Sequence, residues 1–184
     1  MKAIRILTLI LGVLAVSLLL IALALPDHAR IERSIVIDAS PATVFPHVNG
    51  MRAFHAWSPW SKIDPETQYR FTGPEQGVGS RMDWRSEHAQ VGGGTQEIVS
   101  SRTGQYVETR LDFGAQGNGI ASFTLNPDGR GTRVVWDFRT EFGWDLFGRW
   151  FGLLLDRFLG PSYEQGLNTL KQAVEQTSES SRTS

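Results

Sequence analysis

A chain of 184 residues suits one domain with attachments, and its 41% apolar and 20% charged residues leave material for a real core. A net charge of −1 and the lack of any basic run argue against nucleic acid as a partner. The absence of cysteine excludes disulfides, thiolate catalysis and Cys-ligated zinc or iron–sulfur centres.

Residues 6–25 carry no charge and are mostly Leu, Ile, Val and Ala. At a rise of about 1.5 Å per residue, ~20 such residues cross the ~30 Å hydrocarbon layer of a bilayer. Lys2 and Arg5 precede the run, so the positive-inside bias keeps the N-terminus cytoplasmic and sends the rest across. Arg30 and Arg33 follow soon after and weaken that bias. Ala22-Leu23-Ala24 is an A-x-A-like cleavage site, which makes a removed signal peptide the alternative. The run is longer than the ~7–15-residue core of such peptides. Residues 1–26 are therefore expected to be a single-pass anchor in the inner membrane.

Beyond Pro26 the chain reads as one domain over residues 27–175. Residues 30–37 are rich enough in β-branched side chains for a first strand. Ser40 and Pro41 read as the cap and first residue of a short helix that buries Val44, Phe45 and Val48 and stops at Asn49-Gly50. Residues 51–56 can add another turn or two. Short strands with turn signals between them follow at residues 69–72, 79–86, 95–101, 106–113, 119–125 and 132–142. Asn126-Pro127-Asp128-Gly129 reads as the last hairpin turn. Alternation puts Met82 with Trp84, Ala121 with Phe123 and Leu125, and Val134 with Trp136 and Phe138, each set on one apolar face.

Residues 144–174 then repeat apolar side chains at helical spacing. Trp144, Phe147, Phe151, Leu154 and Phe158 form one stripe, and Tyr163, Leu167, Leu170 and Val174 form a second in shifted phase. Gly160-Pro161 separates them, so the expected element is one kinked helix or two end to end, with the aromatic stripe lying on the sheet. Residues 176–184 are rich in Ser and Thr and read as a disordered tail.

This element order resembles the helix-grip fold of the START/Bet v 1-like (SRPBCC) superfamily, which includes the polyketide cyclase/dehydrase-like proteins. The residues that carry the likeness are Ser34-Ile35-Val36-Ile37-Asp38-Ala39-Ser40-Pro41, Trp57-Ser58-Pro59-Trp60, Gly73-Pro74 with Gly77-Val78-Gly79-Ser80, Gly131-Thr132-Arg133-Val134-Val135-Trp136, and Tyr163-Glu164-Gln165-Gly166-Leu167. The resemblance implies an α+β domain in which a curved antiparallel sheet wraps around a long C-terminal helix. It also implies a ligand of lipid, sterol, hormone or polyketide type, or an enzyme acting on such a molecule.

In such a fold the natural pocket lies between sheet and helix. Its expected lining is Met82, Trp84, Phe113, Phe123, Trp136, Phe151 and Leu154, with Trp57 and Trp60 closing one end and glycines at 148, 152 and 160 making room. Core packing is the competing reading for each of these side chains. His28, His47, His55 and His88 show no metal-ligand spacing, and His47 and His55 read as surface residues, so no metal is expected. No cofactor or catalytic residue is expected either. An enzyme would need an acid–base pair in the pocket, for which Glu97 and Arg110 are the first candidates. The expected function is membrane-anchored binding of a hydrophobic small molecule or lipid. The alternatives are a cyclase or dehydratase, and a protein-interaction module of the cell envelope that uses the open sheet face.

Overall fold

The computed structural model describes residues 2–182. Helix α1 (Lys2–Ala24) leads through three residues into strand β1 (His28–Ile37), followed by helices α2 (Pro41–Val48) and α3 (Met51–Trp57) and a 3-10 turn (Pro59–Lys62). Strands β2 (Gln68–Thr72), β3 (Arg81–Arg85), β4 (Gly93–Arg102), β5 (Tyr106–Asp112), β6 (Asn118–Asp128) and β7 (Gly131–Glu141) come next, and helix α4 (Leu146–Arg182) ends the described chain. The strands form one antiparallel sheet in the order β1-β7-β6-β5-β4-β3-β2. First and last strands meet because β7 folds back on β6 and then receives β1, with Ile31 opposite Phe138 and Ile35 opposite Val134.

Local chemistry explains the element starts. Ser40 Oγ accepts from the Thr43 amide, and Pro41 opens α2 where its missing N–H is not needed. The last hairpin is tighter than its sequence suggested. Asp128 pairs with Gly131 and Pro127 with Thr132, so Asn126 and Pro127 belong to β6 and the turn falls at Gly129-Arg130. Gly129 supplies the positive φ required there.

One face of the sheet is apolar and concave, and α2, α3 and α4 lie on it. Val134, Trp136, Phe138, Ala121, Phe123, Val107, Ile98 and Met82 are all buried there, as alternation requires. The other face is polar. Asp137 is buried on it beneath Arg30, whose Nε–H it accepts, and beside Arg139, with Nε 2.9 Å away. Glu97 lies opposite Arg110 on this same face and pairs with Arg81. Neither reaches the concave side, which removes the one acid–base pair the sequence offered.

Of the two forms expected here, one helix or two end to end, α4 takes the first. It runs unbroken through Pro161, so this residue is interior to one helix and not the start of a second. It departs from expectation in two other ways. It continues to Arg182, so the segment from Gln176, read as a tail, is helical as far as it is described; residues 183 and 184 lie outside the described residues. No helix breaker occurs between Gln176 and Arg182, and extending an existing helix is far easier than nucleating one. The second departure concerns its face. Leu155, Tyr163, Leu167, Leu170 and Val174 are buried, whereas Trp144, Phe147, Phe151, Leu154 and Phe158 are exposed. The inner stripe of the first turns is Gly148, Gly152, Leu155 and Leu159. The two glycines let the Phe142 ring lie against the helix backbone, and the Arg33 guanidinium occupies the same kind of space at Gly160. Those glycines accommodate side chains of the protein, not a ligand. Arg33 also joins α4 to β1, with 2.9 Å to Asp156 and 2.8 Å to Glu164.

Candidate ligand site on the concave face

The nine side chains expected around a pocket divide into three groups. Trp57, Phe123 and Trp136 belong to a packed aromatic core with Phe54 and Tyr163. Trp136 stacks on Phe123 at 5.0 Å between centroids and on Tyr163 at 4.0 Å, and meets Trp57 edge-on at 5.4 Å. The Trp57 indole N–H donates to the His47 carbonyl at 2.9 Å. Trp57 thus sits within the core and not at a mouth. Trp60 is half-buried and covers this stack, 5.9 Å from Trp136 and 6.0 Å from Tyr163.

Two residues, Phe151 and Leu154, are not in the space between sheet and helix at all. They face outward at 46% and 48% exposure, because α4 turns its glycine and leucine stripe inward.

Met82, Trp84 and Phe113 form the third group, on the concave side of the strands farthest from α4. Tyr69 is opposite Trp84, and Phe71 is opposite Met82. The Trp84 ring lies across Gly94, where a Cβ would approach it to 2.8 Å, and meets Phe113 edge-on at 6.0 Å. Its N–H donates to the Val91 carbonyl at 3.2 Å. Tyr69, Trp84, Leu111 and Phe113 are each only partly buried. This end of the concave face is therefore a wall of rings that the core does not cover completely.

Two polar features accompany it, and neither was singled out from the sequence. Gln96, opposite Met82 and Leu111, is buried, and its amide donates to Thr109 Oγ1 at 3.0 Å. Alternation with buried Ile98 is the signal that places Gln96 inward. Deeper in, the Trp136 indole N–H has no hydrogen-bond partner among the described residues. A buried donor left in this way costs about 1–3 kcal/mol, a penalty the packing of the aromatic core must offset.

Two clefts flank the short helices. One of about 360 Å³ is bordered by Met51, Arg52, Phe71, Gly73 and Arg81, and another of about 400 Å³ by His47, Ala53, Trp57, Thr169 and Ala173. Burial holds the pKa of both His47 and His55 below the usual imidazole value, and His55 lies 4.3 Å from the Tyr69 ring. They are half-buried, not surface residues. The neutral form is favoured on folding, so the unfolded chain takes up protons first as pH falls below ~6.5. The thermal midpoint should fall between about pH 7.5 and about pH 5.5, and replacing both histidines with glutamine should flatten that slope. An unchanged slope in the double variant would assign the pH dependence to other groups.

Comparison with known proteins fits this architecture. The family model described as polyketide cyclase / dehydrase and lipid transport matches residues 28–175. No curated protein gives a significant match. Among solved structures, a norcoclaurine synthase point mutant from Thalictrum, in complex with a transition-state analogue, superposes with a TM-score of 0.62 at 10% identity, over 82% of this chain and 96% of that one. A Staphylococcus aureus protein of unknown function gives 0.61 at 10% identity, over 83% and 97%. A Thermus thermophilus protein gives 0.58 at 20% identity, over 82% and 99%. Identities this low speak for the fold alone.

Proposed function

Since the chain belongs to the polyketide cyclase / dehydrase and lipid transport family, we propose that it binds a hydrophobic small molecule or lipid on the concave face of its sheet while α1 holds it at a membrane. The observation that carries this reading is the partly covered wall of Tyr69, Trp84, Leu111 and Phe113, with the Gln96 amide set beside Met82 and Leu111. An apolar molecule laid there would complete the burial of four side chains and gain about 25 cal/mol for each Å² removed from water. The amide would orient it through one polar group. Residues 4–24 of α1 are apolar apart from Arg5 and long enough to cross a bilayer, and among them only Ala22 is buried against the rest of the protein. Lys2 and Arg5 favour a cytoplasmic N-terminus, which puts the domain on the exported side of the inner membrane.

The test uses the full chain. Membranes washed with alkaline carbonate should retain it. Purified protein should bind a fluorescent fatty-acid analogue saturably at micromolar concentration, and Trp84→Ala should weaken that binding about tenfold, or ~1.4 kcal/mol, with its circular dichroism unchanged. Equal affinity in Trp84→Ala would remove the ring wall as the site, and no saturable binding to any apolar probe would end the carrier reading.

A further inference from the structure

The first turns of α4 and the turn at Trp144 just before them present apolar rings to solvent, and no described residue covers them. Trp144 is 85% exposed and Phe147 82%, and the stripe continues through Phe151. Isolated exposed rings are ordinary, but a contiguous aromatic face on one helix marks a surface that meets another apolar phase.

Its position names that phase. Arg149 sits between Phe147 and Phe151 in sequence, and its guanidinium donates to the carbonyls of Leu23 and Leu25 at 3.2 Å each. It also donates to the Gly143 carbonyl, at 2.6 Å from Nη2. One side chain thus fastens the start of α4 to the end of α1. The Phe142 amide donates to the Asp27 carbonyl at 2.6 Å, which ties the end of β7 to the same junction. Asp145 accepts from the Gly148 amide at 2.9 Å and so steadies the first turn that carries the rings. We infer that Trp144, Phe147 and Phe151 dock into the headgroup region of the same bilayer that α1 crosses, making the first turns of α4 a second, non-spanning membrane contact.

This rests on the anchored reading of α1, and the chemistry of the face agrees with it. Tryptophan is preferred at the bilayer interface, where its ring spans apolar and polar layers. Phenylalanine on one face of a helix fixed at that depth is the pattern of an interfacial helix.

The chain has no cysteine, so single labels can be placed without altering native thiols. The full chain, reconstituted in nanodiscs of phosphatidylcholine and phosphatidylglycerol, would carry an environment-sensitive fluorophore at one of three positions. Phe147→Cys tests the docking face, Leu11→Cys lies in α1, and Arg130→Cys lies at the β6–β7 turn, the opposite end of β7 from the junction. Phe147 is too exposed for its loss to unfold the domain. The expected result is blue-shifted emission quenched by lipid-brominated discs at Leu11 and Phe147, and water-like emission at Arg130. Quenching at Leu11 with water-like emission at Phe147 overturns the docking while leaving the anchor intact. Absence of quenching at Leu11 overturns the anchor and with it the docking. A Phe147→Cys chain that instead crosslinks to a second copy, with its label unquenched, would assign the face to self-association.

Discussion

Replacing Trp136 with alanine should remove about 3–5 kcal/mol of stability. A domain of this kind has only ~5–15 kcal/mol in total, so the variant should be marginally folded or unfolded at room temperature. The reason is the number of partners. Phe123, Tyr163, Trp57, Phe54 and Trp60 all meet the ring within 6 Å, and they come from β6, α4, α3 and the 3-10 turn. No single neighbour can move in to fill the space, because each is held by its own element. Losing the unpartnered indole N–H returns only part of the loss. Phe151→Ala is the contrast. Half its surface already meets solvent, so its removal should cost less than about 1 kcal/mol in detergent solution. Urea titrations followed by circular dichroism would measure both. A Trp136→Ala loss below about 1 kcal/mol would show that the ring borders an open cavity.

The second large effect concerns Gly166, on the buried side of α4. A Cβ at this position would come within 2.8 Å of the Trp136 ring and 3.1 Å of Pro59. Gly166→Ala should therefore destabilise by about 1–3 kcal/mol through overpacking, although alanine is the better helix former by ~1 kcal/mol. With Trp136 replaced by leucine, which keeps a core side chain but lacks the ring atom that makes the nearest of these contacts, the clash is relieved and the helical preference remains. Gly166→Ala should then be neutral or stabilising in that background, a change of sign that a double-mutant cycle detects directly. Additive losses would mean that Pro59, not Trp136, makes the site intolerant.

Much of this architecture could be read from residue order. Ser40-Pro41 specifies the start of α2 by chemistry confined to a few neighbouring residues, and alternation assigns Trp136, Phe123 and Met82 to the apolar face of the sheet. The first half of α4 was not legible in the same way. Two apolar stripes run along it, and periodicity identifies stripes without saying which one meets the sheet. The larger rings were the natural choice for the interior. The smaller stripe went in because Gly148 and Gly152 allow Phe142 to approach the backbone, a preference set by shape complementarity with a residue outside the helix. The candidate site divided along the same line. Strand residues Met82 and Trp84 are on the concave side as alternation requires, with Phe113 just past the end of β5 against Trp84, while helix residues Phe151 and Leu154 are on the outside. With the helix read as ending at residue 56, Trp57 and Trp60 fall in a connection that has no periodicity to assign depth; in the structure Trp57 closes α3 on the buried face it shares with Met51 and Phe54, and Trp60 lies in the 3-10 turn.

Only three residues, Leu25 to Asp27, separate α1 from β1. Fully extended, three residues reach about 10 Å, far less than the gap between two apposed bilayers. Were α1 to span a bilayer, a domain on so short a leash would not ferry cargo from one membrane to another. With α1 in the bilayer, its concave face would work at a nearly fixed height above a single leaflet. Any apolar molecule it takes up would then come from, and return to, that leaflet or a protein standing beside it, so its exchange would be lateral.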